Sequence, residues 1–301
     1  MASQRDVRNR ISSVKNIQKI TRALETVAGA RLRRAERRIE ALRPYADAIR
    51  RMTRQAARDA GAEASRLPLL TARETEANVG LVLITGDRGL AGAFNSQVIR
   101  AGVRIGSELA EESLQSEWYV SGRRGVSSMT FRGYALSGSY AGFADRPSYA
   151  DARTVADDVM TAYVDGHVDR VELIYNTYVS PLTQRVTRET LLPISRATIT
   201  GEEQDSDSEP DHDAPRALVE YEPSPEEILR RLVPDYVEIS IYRALVESAA
   251  GFYGAQMTAM RNATDNAGEL ITTYTLQMNR ARQAEITQEI MEVVAGAEGL
   301  S

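Results

Sequence analysis

The feature that most limits what this chain can fold into is a pair of very long amphipathic stretches, one towards each end. Over residues 3–58, apolar or small residues recur at a step of about 3.5 residues: Val7, Ile11, Val14, Thr21, Ala28, Leu32, Ala35, Ile39, Leu42, Ala46, Ile49 and Ala56. Gln18 and Glu25 interrupt the series, and a second row, Ile17, Ile20, Leu24 and Val27, widens the apolar face. That step is the one a helix needs to keep a seam against a partner helix over many turns. A helix of this length would run about 80 Å, with Pro44 expected to bend or divide it.

The other end mirrors the first. Val246, Ala250, Tyr253, Met257, Met260, Ala263, Ala267, Ile271, Tyr274, Met278, Ala281 and Ala284 lie three or four residues apart, and Ile286, Ile290 and Val294 prolong the stripe. Asp235 to Ala297 contains no proline, giving an expected helix of roughly 90 Å. Ser224, Pro225 and Glu227 read as the start of a shorter helix, with Pro234 separating or kinking the two. Helices this long need partners, and the simplest partner for each is the other. The expected fold is α/β: a long antiparallel coiled coil of N- and C-terminal helices with an inserted Rossmann-like α/β domain. Small seam residues such as Ala28, Ala35, Ala263 and Ala267 predict closely spaced axes.

The middle carries the α/β pattern. Val79–Ile84 reads as a buried strand, Gly86–Gly92 as a loop, Phe94 to about Glu112 as a helix and Glu117–Ser121 as a second strand. Gly122–Gly125 reads as a turn and 149–165 as a helix, with strands at Arg170–Tyr178 and Leu182–Leu192 joined at Ser180-Pro181. Alternating strands and helices predict a partly parallel sheet. The expected division is a helix over 1–60, the α/β domain over 61–198, an acidic mobile loop over 199–217 and C-terminal helices over 218–301.

Charge is unevenly placed. The net charge is -5, yet residues 1–60 hold sixteen Lys/Arg against six Asp/Glu, and residues 202–213 hold seven Asp/Glu and no Lys/Arg. Such asymmetry suggests surfaces for different neighbours. Between Ala244 and Asn279 the only charged residues are Glu247, Arg261, Asp265 and Glu269. That suits either a helix turning inside a protein sleeve or one buried in its own domain.

The chemical inventory is thin. There is no cysteine, which excludes disulfides and thiolate chemistry, and only two histidines, His167 and His212. Gly86, Gly89 and Gly92 are spaced G-x-x-G-x-x-G rather than G-x-G-x-x-G, and no Gly-Lys-Ser/Thr ending follows. A tight turn packing a helix on a sheet is the plainer reading. No catalytic residue, cofactor site or metal site is expected. No stretch approaches 18 consecutive apolar residues, and no apolar signal-like segment opens the chain. The arginines of the first helix are spread around it, which argues against nucleic acid or a membrane surface as partner. At this level a coiled-coil adaptor and, with less support, a small α/β nucleotide-binding enzyme stay open.

Four ordered motifs carry a resemblance. Arg8-Asn-Arg-Ile-Ser-Ser-Val-Lys-Asn-Ile-Gln-Lys-Ile-Thr-Arg-Ala-Leu-Glu-Thr-Val-Ala28, Gly86-Asp-Arg-Gly-Leu-Ala-Gly-Ala-Phe-Asn95, Met260-Arg-Asn-Ala-Thr-Asp-Asn-Ala267 and Tyr274-Thr-Leu-Gln-Met-Asn-Arg-Ala-Arg-Gln-Ala-Glu-Ile-Thr-Gln-Glu-Ile290 together resemble the gamma-subunit family of F-type ATP synthases. The resemblance implies a non-catalytic central rotor of a proton-translocating (in some members sodium-translocating) ATP synthase, peripheral on the cytoplasmic face of a bacterial plasma membrane. It implies partners in the alpha, beta and epsilon subunits and the c ring, with delta in the wider complex, and neither nucleic-acid binding nor membrane insertion.

The resemblance also implies contact residues. Arg282 and Gln283 match a polar pair that engages a beta-subunit loop. Lys19 and Leu24 match a zone passing the moving beta lever. Ile290 opens a tail seated in an apolar collar, and Glu220, Tyr221 and Glu222 are candidates for the c-ring contact.

Overall fold

The computed structural model describes residues 4–61, 66–194 and 224–298, the last three of these without their side chains. Two helices dominate: α1, Gln4–Ala60, and α5, Pro225–Glu298. Between them lie β1 (Asn78–Ile84), α2 (Phe94–Glu111), β2 (Gln115–Ser121), α3 (Arg123–Phe131), β3 (Leu136–Tyr140), α4 (Tyr149–Val164), β4 (Arg170–Tyr178) and β5 (Gln184–Leu192). Contacts divide the chain into two compact units: a helical pair, Met1–Ala30 with Gln256–Ser301, and an α/β body, Arg31–Ala255.

In the α/β body the strand order is β3-β2-β1-β4-β5, with β1 to β4 parallel and β5 antiparallel to β4. Apart from its first residue, β1 is buried throughout, as a central parallel strand covered on both faces must be. Its alternate side chains feed two cores. Leu81 and Leu83 join Trp118, Val98 and Leu109 under α2 and α3. Val82 and Ile84 face α4, the second half of α1 (Ile49, Ala56) and the first part of α5 (Leu229, Val237, Leu245). The expected strands and the helices at 94–112 and 149–165 are present, and α4 starts at a reciprocal capping box between Ser148 and Asp151.

Several expectations change. The Gly122–Gly125 segment opens a helix rather than only turning: Gly122, at φ 93°, leads directly into α3. Its backbone lies so close to Thr85 that no side chain fits there. The short edge strand β3 has a half-exposed pattern and two apolar residues, too weak a signal to read beforehand. Pro44 and Pro234 divide neither helix. A mid-helix proline costs about 3 kcal/mol, and around Pro234 the burial of Leu229, Leu232, Val233 and Val237, at about 1.5–3 kcal/mol per side chain, offsets it.

In the helical pair the two segments run antiparallel. Arg261 Nε donates to Glu25 Oε1 at 2.9 Å, and Gln18 Nε2 donates to the Thr264 carbonyl at 3.3 Å. Thr21 and Thr264 share a buried hydroxyl–hydroxyl bond of 2.7 Å. The positions read as interruptions of the seam are therefore cross-helix partners. Val7, Ile11 and Ala28 are buried on one helix, and Met260 and Ala267 on the other. In this register Gln4 comes level with about Ala281, the last residue of α5 that is not fully exposed. Arg282 onward has no facing helix among the described residues. Ile286, Ile290 and Val294 consequently do not continue the buried seam but stand exposed.

Candidate partner-contact surfaces

Two features of the helical pair bear on function. The first is the second apolar row of α1. Ile17, Ile20 and Val27 lie on the side away from the seam, with Ile20 59% exposed. Leu24 is half-buried at the seam's margin and Lys19 is exposed. The row does not widen the intramolecular face, as its apolar character suggested. It forms a separate strip that water covers in this chain alone. Across from it in composition, Leu270 and Leu276 of α5 are also exposed.

The second feature is the unaccompanied end of α5. Arg282 and Gln283 stand on its first exposed turns. Beyond them Ile286, Ile290, Met291, Val293 and Val294 are all exposed, Ile290 at 57%. Scattered apolar residues on a surface mean little, but five within nine positions make an exposed apolar run. Lys19, Leu24, Arg282, Gln283 and Ile290 thus all lie in the helical pair. Glu220, Tyr221, Glu222, the acidic 202–213 segment and His212 lie outside the described residues.

The α/β body shows why its glycine-rich loop is a packing device. Thr85 Oγ1 donates to the Ser121 carbonyl at 2.8 Å and accepts from Gly125 N–H at 2.9 Å. Asn95 Oδ1 accepts from Gly86 N–H, and its amide donates to the Arg88 carbonyl. The Asp87 carboxylate accepts from the backbone N–H groups of Arg123, Gly142 and Ala144. Backbone donors that could cradle an anion are thereby occupied by a side chain of the chain itself.

In parallel sheets of this kind ligands bind beyond the strand ends where the strand order reverses, here between β1 and β4. That crevice is filled by α5. Phe252 packs edge-on to Phe94 at 5.7 Å, and a Cβ on Gly86 would meet the Phe252 ring at 2.9 Å. Gly254 lies so close to Pro181 that a Cβ there would fall 2.9 Å from its carbonyl oxygen. Asn176, fully buried, donates to the Phe94 carbonyl at 3.3 Å. The charge-poor stretch of α5 is accordingly two things in turn. Ala244–Gly254 is for the most part buried in its own body, while many polar positions from Asn262 onward face water.

Two buried carboxylates of the body are structural. Asp169 accepts from Ala77 and Asn78 N–H and pairs with Arg73. Glu172, 4% exposed at its side chain, lies between Arg170 and Arg188, with Arg188 Nε at 2.7 Å. Two arginines around one buried carboxylate satisfy its lone pairs and offset its desolvation. Burial pushes the Tyr175 hydroxyl up to about 12, opposed by Arg243 and helped by Glu189. Burial likewise raises the Glu247 carboxyl, against the pull of Arg243. These groups tie α5 to the sheet rather than lining a reactive cleft.

A family model described as ATP synthase matches residues 3–300. The ATP synthase gamma chain of Rubrobacter xylanophilus is 44% identical over 301 residues, spanning 100% of this chain and 99% of that protein. The ATP synthase gamma chain of Frankia casuarinae is 43% identical over 306 residues, with 100% and 99% covered. Among solved structures, a chain in the Euglena gracilis mitochondrial ATP synthase, OSCP/F1/c-ring, in rotational state 3, shares the fold at a TM-score of 0.66 and 18% identity, covering 99% of this chain and 94% of its own. With the paired terminal helices, the crossed α/β sheet and whole-length identity above 40%, this chain belongs to the ATP synthase gamma-chain family, the non-catalytic rotor subunit of that complex's central stalk.

Proposed function

We propose that the helical pair transmits torque through two distinct exposed surfaces of this chain. The strip around Lys19 and Leu24, with Ile17, Ile20 and Val27, meets the moving parts of the catalytic beta subunits. Arg282 and Gln283 engage a beta-subunit loop, and the α5 end from Ile290 turns inside an apolar collar of alpha and beta subunits. Glu220, Tyr221 and Glu222 contact the c ring, and the α/β body joins that ring and epsilon to the shaft. The complex stands on the cytoplasmic face of a bacterial plasma membrane, with delta as a further member. No described helix of this chain is long and apolar enough to cross a membrane.

The observation that carries this reading is the unaccompanied end of α5, with five large apolar side chains exposed where α1 has no residue to face them. A helix end in that condition needs a surrounding protein surface to cover it. Asymmetry matters as much as burial. A shaft that touched three catalytic sites equally would shift none of them, because only differential contact biases an equilibrium. The strip on α1 and the end of α5 are different in composition and provide that inequality.

The test is reconstitution of the full chain with its alpha and beta subunits, with a rotation probe fixed in the 86–125 region. Stepwise ATP-driven rotation is expected. Rotation that persists at full torque after Ile290, Met291, Val293 and Val294 are all changed to serine would remove the collar from the reading, and failure to assemble would remove the shaft.

A further inference from the structure

One cavity of the α/β body takes part in none of the surfaces above. It measures about 480 Å³ and lies among the second half of α1, the middle of α5 and the loop after β3. Five of its eleven lining residues are arginines: Arg31, Arg34 and Arg38 from α1, Arg88 after β1, and Arg146. The one acidic residue is Asp145.

The walls are fixed by bonds that leave most of this charge uncompensated. Asp145 Oδ2 pairs with Arg88 Nε at 3.1 Å, while Asp145 Oδ1 is buried without a hydrogen-bond partner. Tyr253 donates its hydroxyl to the Asp145 carbonyl at 3.0 Å, and the Arg31 guanidinium is held over the Tyr253 ring, 5.7 Å from its centre. Arg34, Arg38 and Arg146 have no carboxylate partner among the described residues. Val246 and Ala249 form an apolar strip along the cavity.

Like charges brought together raise the energy of the fold unless an anion compensates them. Guanidinium groups fit phosphoryl oxygens as two-pronged donors. The volume falls in the range of small-molecule sites, about 300–1,000 Å³, and the apolar strip strengthens any charge contact made beside it. We propose that this cavity binds a diphosphate group, either of a nucleotide or as the inorganic ion. The Gly86–Gly92 loop lends the site only the Arg88 side chain, and its Asp87 already accepts from the nearby backbone N–H groups of Arg123, Gly142 and Ala144.

The experiment is calorimetric titration of the full chain with inorganic pyrophosphate and, in parallel, with ADP, both without magnesium. One saturable site per chain is expected, weakening steeply with added salt. Arg34→Gln with Arg38→Gln should lower its affinity roughly tenfold or more, and Arg146→Gln should lower it as well. Arg132→Gln, an exposed arginine on the α3 side of the body, should leave it unchanged. Because Arg34 and Arg38 hold no carboxylate among the described residues and add to the like charge there, the melting temperature of the double variant should be no lower than that of the parent. ADP binding more tightly than pyrophosphate assigns the site to a nucleotide, and equal or weaker binding assigns it to the inorganic ion. No saturation with either probe, or the same loss in Arg132→Gln as in the double variant, overturns the proposal.

Discussion

The helical pair and the α/β body are built from the same two helices by opposite means. In the body, α1 and α5 are pressed on a sheet whose cores hold Trp118, Tyr163, Tyr175, Leu81 and Leu173, all nearly or fully inaccessible. In the pair, the seam is narrow and buries Val7, Ile11, Ala28, Met260 and Ala267, with a threonine pair between them. Elsewhere its outer face keeps large apolar residues in water. The body holds most of the buried core and exposes large apolar side chains such as Leu90, Phe131 and Leu182 far apart in sequence, whereas the pair exposes them in closely spaced runs.

The comparison breaks most sharply in the core of the body. Trp118 packs on Gly102 and Gly106 and beside Tyr134. Trp118→Ala should cost about 3–5 kcal/mol, read as a large drop in the denaturant midpoint by tryptophan-independent circular dichroism. A loss comparable to that of a surface substitution would mean that the sheet is not where stability lies.

Alkali should act next, and again on the body. Burial pushes Tyr175 up to about 12, and burial with Glu117 pushes Tyr119 up to about 12. Burial and the Asp158 hydrogen bond raise Tyr140 as well. A phenol whose pKa is raised in the fold binds its proton more tightly there than in the unfolded chain. Its contribution is whole below pH about 10 and is lost as pH rises through about 12. Denaturant unfolding at pH about 8 and about 11 should therefore show a clear fall in stability. Tyr175→Phe should flatten that fall, while costing about 1 kcal/mol at neutral pH because Arg243 and Glu189 lose a partner. An unchanged slope in that variant would place the alkaline loss elsewhere.

Much of this architecture was legible in the sequence, and the reasons differ by element. The seam of α1 could be read because its step of about 3.5 residues persists from Val7 to Ala56. β1 could be read because a central parallel strand is apolar on both faces. Gln18 and Glu25 looked like breaks because polarity alone does not reveal a partner, and their partners Thr264 and Arg261 are over 230 positions away. The prolines misled because local preference is weaker than the packing on either side. Ile17, Ile20 and Val27 were legible as apolar but not as outward-facing. Amphipathic pattern gives the width of an apolar face and not how many partners share it. The arginine cavity was invisible for a related reason: Arg88 and Arg146 come from loops after different strands.

The threonine pair sharpens the comparison on the other side. Thr264 donates its hydroxyl to the Met260 carbonyl or to Thr21, and Thr21 has the Gln18 carbonyl as its alternative acceptor. Thr264→Val leaves Thr21 buried with one bond fewer and should cost about 1 kcal/mol. Thr21→Val with Thr264→Val replaces both by apolar groups of the same shape and should recover most of that. The coupling in a double-mutant cycle, read by amide exchange over residues 14–25, tests it. A strictly additive double variant would mean that the two hydroxyls do not share a bond in solution.

The smallest effect on stability should accompany the most specific effect on function. Arg282 and Ile290 are exposed and lie beyond the end of the α1 seam among the described residues. Arg282→Ala and Ile290→Ser should each change the stability of the isolated chain by less than about 0.5 kcal/mol. If these turns are gripped by partner subunits, the same variants should lower ATPase turnover or coupling in the assembled complex, with assembly intact. The two measurements separate the causes. A stability loss in the isolated chain would mean that α5 has an intramolecular partner beyond Ala281, and unchanged rates in the complex would mean that the end of the helix is covered without being used. Only silence in the first assay and loss in the second fits a surface left bare for other subunits, because folding then gains nothing from the side chains that torque requires.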